Sequence, residues 1–219
     1  MPDLGLRTGF GDDDRAVTDT VVHLIRHGQV YNPEDIRYGQ LAGFRLSSRG
    51  CQQARAAASY LQSLGRPIAS IVSSPLQRAT ETAKIIGDAL ALPFVTDQRL
   101  IESATQFDGL PRLAMLSPKL WPKLWNPFRP SWGESFDSIA SRMRAAIDEA
   151  LAAHAGSSIV FVSHQAPIWI TRHSYEASGP PWLSRVRCTQ ASVTSLLFTG
   201  KQFDRSTYWA PTTLRPLVR

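Results

Sequence analysis

Short apolar runs alternate with longer amphipathic stretches along this 219-residue chain. The runs have the character of strands buried in a parallel sheet, and they lie at 21–25, 68–72, 93–96 and 158–162. The stretches between them have the composition or the 3.6-residue period of helices, which we expect over 48–64, 75–90, 135–154 and 167–173. This alternation predicts an α/β fold with a mostly parallel sheet.

Capping residues mark the expected starts of three of these helices. Ser47 and Ser48 are placed to cap the first helix, and Ser135 is placed to cap the third. For the second helix we expect Ser74 as the N-cap, with Pro75 at the first helical position.

A hairpin is expected at the C-terminal end of the sheet. An apolar run begins at Ser192, Gly200 supplies a turn, and a second run follows at 203–209. Because the two strands of a hairpin run in opposite directions, one strand of the sheet should be antiparallel to the rest.

We expect a single domain behind a flexible leader. Residues 1–19 show no element of structure, and residues 20–219 suffice for one domain. Several prolines and tryptophans interrupt the alternation at about 103–133 and predict an inserted cap. The loop at 29–45 is longer than the roughly 12 residues of ordinary connections, so we expect it to cover a functional site.

Composition narrows the class of protein. Apolar residues at 43% and charged residues at 19% are ordinary for a globular protein, and no run reaches the roughly 20 apolar residues of a membrane span. Two cysteines and no export signal predict a cytoplasmic protein. The formal charge of +6 suits nucleic acid or an anionic substrate, but the basic residues are dispersed, which favours the substrate.

Polar side chains follow each predicted parallel strand. They are Arg26, His27 and Gly28 after the first strand, Ser74 and Arg78 after the second, Glu102 in the loop after the third, and Ser163 and His164 after the fourth. The carboxyl ends of parallel strands share one edge of the sheet, where ligands bind. We therefore expect two histidines, two arginines and one carboxylate around a single crevice.

This set of side chains suits phosphoryl transfer. The guanidinium groups of Arg26 and Arg78 would neutralise the phosphoryl oxygens and keep His27 neutral and nucleophilic. An acid such as Glu102 would protonate the leaving oxygen.

The sequence lacks the residue patterns of metal sites and of nucleotide-binding sites. His23 and His27 are four residues apart on a strand, a separation of roughly 13 Å that is too long for shared metal ligation. The sequence has no HExxH motif, no P-loop and no dinucleotide-binding glycine pattern. Its run of acidic residues lies in the leader. We therefore expect no metal and no other cofactor.

Five motifs resemble those of the histidine phosphatase superfamily, which includes the cofactor-dependent phosphoglycerate mutases. They are LIRHG at 24–28, SSPLQRATETA at 73–83, LIES at 100–103, WGES at 132–135 and VSHQ at 162–165. The resemblance covers nearly the whole expected domain. It implies a three-layer α/β/α sandwich with an inserted cap.

The resemblance also implies a role for each residue of the crevice. His27 would be the nucleophile that forms a phosphohistidine, and Glu102 would be the proton donor. Arg26, Arg78 and His164 would bind the phosphoryl group. The full set of expected substrate-binding residues is Arg26, Gly28, Asn32, Arg78, His164 and Gln165.

Some positions depart from the family pattern. The family commonly has an asparagine six residues after the nucleophile, whereas Asn32 follows His27 by five. Val30 replaces a small or hydroxyl residue, and Gln165 stands where a glycine often follows the second histidine. The segment expected to form the cap is shorter than that of the mutases, which argues against strict mutase activity.

We predict a phosphatase that hydrolyses phosphomonoesters of a small metabolite, as a monomer or homodimer, with no nucleic-acid or membrane partner. A phosphoglycerate mutase-type phosphotransferase and a non-catalytic binder of a phosphorylated ligand are the alternatives. A binder needs neither an unprotonated nucleophile nor a separate acid, so the complete set of residues favours the enzyme. If Glu102 only shapes the pocket, Asp108 is the next candidate for the proton donor.

Overall fold

The computed structural model describes residues 19–111, 113, 114, 117, 133–176 and 188–211. Its strands are β1 (Asp19–Arg26), β2 (Ile68–Ser73), β3 (Phe94–Thr96), β4 (Ser158–Ser163), β5 (Val193–Thr199) and β6 (Gln202–Trp209). Its helices are α1 (Ser48–Ser63), α2 (Gln77–Leu90), α3 (Phe136–Ala153) and α4 (Gln165–Glu176). A short 3-10 turn over Gln98–Leu100 follows β3.

The described strands form one sheet in the order β3-β2-β4-β1-β5-β6. Strand β4 pairs in parallel with β1 and β2, and β2 pairs in parallel with β3. Strand β5 is antiparallel to both of its neighbours, β1 and β6. Among the described strands β5 alone therefore runs against the others, which confirms the predicted sheet with one antiparallel strand.

Helices cover both faces of this sheet. On one face α1 and α2 pack over a cluster that includes Ile25, Leu61 and Ile86. On the other face α3 and α4 pack over a cluster that includes Leu24 and Met143. Consecutive strand residues point to opposite faces, which is why Leu24 and Ile25 belong to different clusters. The arrangement confirms the three-layer α/β/α sandwich.

Two helices begin at the predicted N-caps. The hydroxyl of Ser47 accepts a hydrogen bond from the backbone N–H of Gly50 at 3.0 Å. The hydroxyl of Ser135 accepts from the N–H of Ser138 at 3.2 Å. Each bond satisfies an N–H that has no partner within its helix.

The predicted start of the second helix is wrong. Leu76 is extended, with a ψ of 135°, and α2 begins at Gln77 without a side-chain cap. The hydroxyl of Ser74, the predicted cap, lies 2.7 Å from Nε2 of His164 instead. Ser74 thus contacts a neighbouring strand end, a tertiary interaction that a capping pattern in the sequence does not reveal.

Most of the predicted leader and cap lies outside the described residues. Asp19, the last residue assigned to the leader, is the first residue of β1. At the described edges of the cap, Thr105 pairs with Gly133 and Pro111 pairs with Ile36 in isolated bridges. Residues 118–132 and 1–18 are not described, so the leader and the cap stay predictions.

Candidate active site

Three neighbouring strands end side by side. In the β1–β4 pair Arg26 lies opposite Ser163, and in the β2–β4 pair Ser73 lies opposite Val162. The N–H of His27 then donates to the carbonyl oxygen of Ser163 at 3.0 Å and continues the ladder. The residues that follow these strands are therefore brought together at one edge of the sheet.

His27 is held in one tautomer at this edge. It is buried, with 1% of its surface exposed. Its Nδ1 lies 2.7 Å from the carbonyl oxygen of Gly28, and because a carbonyl only accepts, Nδ1 carries the ring proton. The unprotonated Nε2 accepts a hydrogen bond from Nε of Arg78 at 3.3 Å. The lone pair available for nucleophilic attack is therefore on Nε2.

Burial and two nearby cations keep this ring neutral. Burial lowers the pKa of His27 well below its usual 6.5, and Arg78 and Arg26 lower that pKa further. The hydrogen bond to Gly28 opposes these effects and does not cancel them. A neutral imidazole with one fixed proton can act as a nucleophile through its other nitrogen.

Arg78 supplies a buried positive charge beside His27. It lies in the first turn of α2 and is 1% exposed. One of its terminal nitrogens donates to the carbonyl oxygen of Gly39, and its guanidinium lies 4.8 Å from the ring centre of Tyr38. The ring of Tyr38 is also 6.2 Å from that of His27. The long loop between β1 and α1 thus lies over both residues and holds the guanidinium in place.

His164 follows β4 and lies against the first histidine. It is fully buried, and its ring centre is 5.1 Å from that of His27. The hydroxyl of Ser74 accepts from the N–H of Leu76 at 3.4 Å, so its proton is available to Nε2 of His164, 2.7 Å away. When this hydroxyl donates to Nε2, the ring proton of His164 is on Nδ1. Burial lowers the pKa of His164 well below 6.5, and the neighbouring His27 ring and the charge of Arg78 lower it further, so the ring is neutral.

Two buried donors at this site have no hydrogen-bond partner among the described residues. They are Nδ1 of His164 and Nε of Arg26. The other end of Arg26 is fixed, since Nη1 donates to the carbonyl oxygen of Cys188 at 2.6 Å. Buried polar groups are nearly always paired. These donors and the guanidinium of Arg78 therefore suit an oxyanion.

Glu102 lies just beyond the 3-10 turn and is half-buried. One of its carboxylate oxygens accepts from the backbone N–H of Ser103 at 2.9 Å. Burial raises the pKa of Glu102, while the bond from Ser103 and the charge of Arg78 oppose the rise. A carboxyl group with a raised pKa stays protonated to higher pH and can act as a general acid.

Asp108 connects the long loop to the segment that carries Glu102. Its carboxylate accepts from the N–H of Gln40 at 3.0 Å and from the hydroxyl of Thr105 at 2.8 Å. Arg37 lies 3.9 Å from the same carboxylate. The side-chain amide of Gln40 donates to the carbonyl oxygen of Glu102 at 2.6 Å. Sequence reasoning missed Gln40 because no local pattern links it to a residue 62 positions away.

Gly28 is at the site for a steric reason. A Cβ atom at this position would lie 2.4 Å from the carbonyl oxygen of Gly50, at the start of α1. The N–H of Gly28 donates to the hydroxyl of Thr82 at 3.1 Å, and that hydroxyl donates to the carbonyl oxygen of Arg78 at 2.8 Å. Thr82 thus links the loop after β1 to α2. Thr82 lies within the motif at 73–83, but the motif alone does not indicate this role of its hydroxyl.

Asn32 lies in a turn of the long loop and Gln165 lies at the start of α4, although both are predicted to bind the substrate. The side chain of Asn32 donates to the carbonyl oxygen of Ile36 at 2.8 Å and accepts from its N–H at 3.3 Å, which closes a turn of the loop. Gln165 is the exposed first residue of α4. In the part of the chain that the structure describes, neither side chain is hydrogen-bonded to the two histidines or to Arg78, so their substrate contacts stay predictions.

The fold and these groups define a class of protein. A neutral, buried histidine, fixed guanidinium groups and a carboxyl of raised pKa lie at the carboxyl edge of an α/β/α sheet, as phosphoryl transfer requires. The family model of the histidine phosphatase superfamily (branch 1) matches residues 22–209. The chain belongs to this superfamily, which confirms the resemblance of its five motifs.

Relatives in sequence include a mycobacterial protein and a mutase-like protein. The uncharacterized protein Rv0525 of Mycobacterium tuberculosis is 44% identical over 203 residues, which are 90% of this chain and 98% of that protein. The probable phosphoglycerate mutase GpmB of Yersinia enterocolitica is 37% identical over 150 residues, 65% of this chain and 68% of the mutase. The mutase-like protein therefore matches a smaller part of the chain.

A solved phosphatase has the same fold. The mycobacterial glucosyl-3-phosphoglycerate phosphatase Rv2419c is 28% identical, with a TM-score of 0.70 over 88% of this chain and 98% of that one. Its complex with VO3 has a TM-score of 0.72 over 87% and 97% of the two chains. With the family match, these similarities support a phosphatase function.

Proposed function

We propose that this phosphatase hydrolyses phosphomonoesters of a small metabolite through a phosphohistidine on Nε2 of His27, without a metal ion. The observation that carries the proposal is the hydrogen bonding of that ring. Nδ1 is bonded to the carbonyl of Gly28, and Nε2 is left unprotonated beside Nε of Arg78. Only a ring fixed in this way offers one defined nitrogen to the phosphorus atom.

In the first step Nε2 of His27 attacks the phosphorus atom. The P–N bond forms while the bond between phosphorus and the leaving oxygen breaks. Protonated Glu102 gives its proton to that oxygen, so that a neutral alcohol departs. The products of this step are the alcohol, phosphorylated His27 and the carboxylate of Glu102.

In the second step a water molecule attacks the phosphohistidine. The carboxylate of Glu102 takes a proton from the water as the new P–O bond forms, and the electron pair of the P–N bond returns to Nε2 of His27. Inorganic phosphate leaves. Both His27 and Glu102 then have the protonation states with which they began.

Three further side chains act on the phosphoryl oxygens in this proposal. The guanidinium groups of Arg26 and Arg78 offset the negative charge, and Nδ1–H of His164 donates a hydrogen bond. Fixed charges of this kind favour the transition state because they need no rearrangement during the reaction. Gly28, Asn32 and Gln165 complete the proposed binding set, of which Gly28 allows the close approach of the loop to α1.

The cell compartment and the assembly are part of the proposal. Among the described helices, none is both long and apolar enough to cross a membrane. Cys51 and Cys188 are free thiols, which suits a reducing compartment. The proposal is a cytoplasmic protein that acts as a monomer or homodimer.

A substrate screen tests the proposed function. We expect the purified full chain to release inorganic phosphate from p-nitrophenyl phosphate and from at least one phosphorylated metabolite. The panel includes glucosyl-3-phosphoglycerate, because a solved structural neighbour is a phosphatase named for that compound. Transfer of the phosphoryl group to a second hydroxyl of the substrate would favour the mutase alternative. Tight vanadate binding without any turnover would favour the non-catalytic binder.

Glu102→Gln is expected to slow the enzyme by an amount that depends on the leaving group. An alkyl phosphate needs a proton on its leaving oxygen, whereas nitrophenolate leaves readily without one. On the alkyl phosphate we expect a loss of about 10² to 10⁴-fold, the usual contribution of a general acid. The rate at which p-nitrophenyl phosphate phosphorylates the enzyme should fall much less. Single-turnover rates on the two substrates measure the difference. Equal slowing on both would make Glu102 a pocket-shaping residue and direct attention to Asp108.

The pH profile of kcat/KM should reflect the two shifted groups. Since the pKa of His27 is lowered, its ring should stay neutral well below pH 6.5. Since the pKa of Glu102 is raised, the proton it donates is lost only as the pH rises through that raised value. We expect activity on an alkyl phosphate to persist in mild acid and to fall on the alkaline side. In Glu102→Gln the alkaline fall should disappear; an unchanged alkaline fall would assign it to another group.

Chelators are expected to leave the activity unchanged. The proposed steps use only side chains and water, and among the described residues no group of three or more His, Cys, Asp or Glu is placed to hold a metal ion. Turnover should be equal with and without EDTA after dialysis. Loss of activity that a divalent metal restores would overturn the metal-free mechanism.

A further inference from the structure

A second cavity lies on the α1 side of the sheet, away from the catalytic edge. It has a volume of about 180 Å³. Its floor consists of two rows, and each row has one residue from β1, one from β5 and one from β6. The first row is His23, Ser195 and Thr207, and the second is Val21, Leu197 and Arg205. His23 precedes His27 by four residues on one strand, a separation of roughly 13 Å. The cavity is therefore separate from the phosphatase site.

The wall of the cavity is formed by the C-terminal end of α1 and the residues that follow it. Tyr60, Leu64 and Arg66 line this side. The ring of Tyr60 stacks on Trp209 with ring centres 4.4 Å apart and planes 4° from parallel. Since each aromatic ring is packed against the other, this wall is a preformed apolar surface.

His23 places a polar group in the floor. It is 2% exposed, and its Nδ1 lies 2.8 Å from the hydroxyl of Ser195. That bond uses Nδ1 alone, so Nε2 of the ring is free of it and lies on the side of the cavity floor. Burial and the charge of Arg66 lower the pKa of His23 to about 4, so the ring is neutral. The floor thus offers an imidazole nitrogen and a hydroxyl to a polar group of a ligand.

The rim of the cavity is cationic. Arg66 and Arg205 are exposed and both line the cavity. One nitrogen of Arg66 donates to the carbonyl oxygen of Asp19 at 2.7 Å, and one of Arg205 donates to the carboxylate of Asp204 at 2.9 Å. Each guanidinium has five N–H donors, so each keeps donors for a ligand. The two guanidinium groups at the rim, of which that of Arg205 is paired with Asp204, favour an anionic ligand.

We propose that this cavity binds a small organic carboxylate that also carries a hydroxyl group. Its hydroxyl would meet Nε2 of His23, its apolar body would pack on Leu197 and Tyr60, and its carboxylate would face Arg66 and Arg205. Guanidinium groups match the planar geometry of a carboxylate. The site does not depend on the catalytic mechanism proposed above, because it shares no residue with it.

The test uses 4-hydroxybenzoate as the probe, with vanadate present at saturating concentration to occupy the catalytic site. We expect binding by calorimetry, together with shifts of the ¹H and ¹⁵N signals of the His23 ring in the full chain. The uncharged analogue 4-hydroxybenzyl alcohol should bind much more weakly. Arg66→Gln and Arg205→Gln should each weaken binding of the carboxylate by about three- to tenfold, the range for a partly exposed ion pair. Arg55→Gln, an equal change of charge at an exposed residue of α1 that does not line the cavity, should have no effect.

A filling variant provides a second measurement. Thr207 is exposed on the edge strand β6 and lines the cavity, so Thr207→Trp should block the probe without removing a charge. Phosphatase activity should be unchanged in this variant. No binding of the probe by the wild type, equal binding of the uncharged analogue, displacement of the probe by vanadate, or unchanged affinity in both arginine variants would each overturn the proposal.

Discussion

Replacing His27 with alanine is expected to abolish turnover while leaving the fold intact. In the proposed mechanism the side chain supplies the nitrogen that bonds to phosphorus, and removal of a nucleophile costs on the order of 10⁴-fold or more in kcat. Its ring is hydrogen-bonded to Gly28 and Arg78 at the strand end and belongs to neither apolar cluster. The initial rate of p-nitrophenyl phosphate hydrolysis measures the loss.

A matched control distinguishes loss of the nucleophile from loss of a buried histidine. His23 lies in the same strand and is equally buried, at 2% against 1% exposed, but it faces the second cavity. His23→Gln should therefore retain activity. Thermal unfolding should show a single cooperative transition in both variants. If a folded His27→Ala variant kept more than a few per cent of the wild-type rate, His27 would not be the nucleophile.

Replacing Arg78 with alanine should lower kcat/KM by about 10²-fold or more. Its guanidinium is a fixed donor beside Nε2 of His27, and removing one preorganised donor from the transferring group has an effect of this size. The affinity for vanadate, which resembles the transferring group, should fall in parallel. Steady-state kinetics and vanadate inhibition on the same preparation measure both quantities.

Two further variants of α2 make this result specific. Arg78→Lys keeps the charge without the planar fork, so we expect it to recover only part of the activity. Lys84→Ala removes an exposed cation from the same helix and should leave the kinetics unchanged. Vanadate affinity equal to that of the wild type in Arg78→Ala would show that the guanidinium does not face the oxyanion.

The layered fold could be predicted because its signals are local and periodic. Strands β1, β2 and β4 are apolar runs, the helices between them have capping residues such as Ser47 and Ser135, and the hairpin near Gly200 has a turn residue between two runs. The rule that parallel strands share their carboxyl edge then places His27 and His164 together without any knowledge of their contacts.

The contacts within the site could not be predicted, because they join distant segments. The pattern around Ser74 is that of an N-cap, but its hydroxyl contacts His164, 90 residues away in the sequence. Tyr38 and Gln40 lie in a loop without periodicity, and only the folded chain shows that they hold Arg78 and the backbone of Glu102. The second cavity depends on the register of β1, β5 and β6 around His23. The sequence around His23 does not indicate that register.

Trapping the phosphoenzyme tests the central claim most directly. Glu102→Gln is mixed with p-nitrophenyl phosphate, quenched rapidly without acid, and digested for mass spectrometry, with ³¹P NMR to identify the phosphorylated nitrogen. We predict an acid-labile, alkali-stable phosphoryl group on Nε2 of His27, formed with the burst of nitrophenolate. A phosphoryl group on any other residue, or a turnover without a phosphoenzyme at any quench time, would contradict the proposed mechanism.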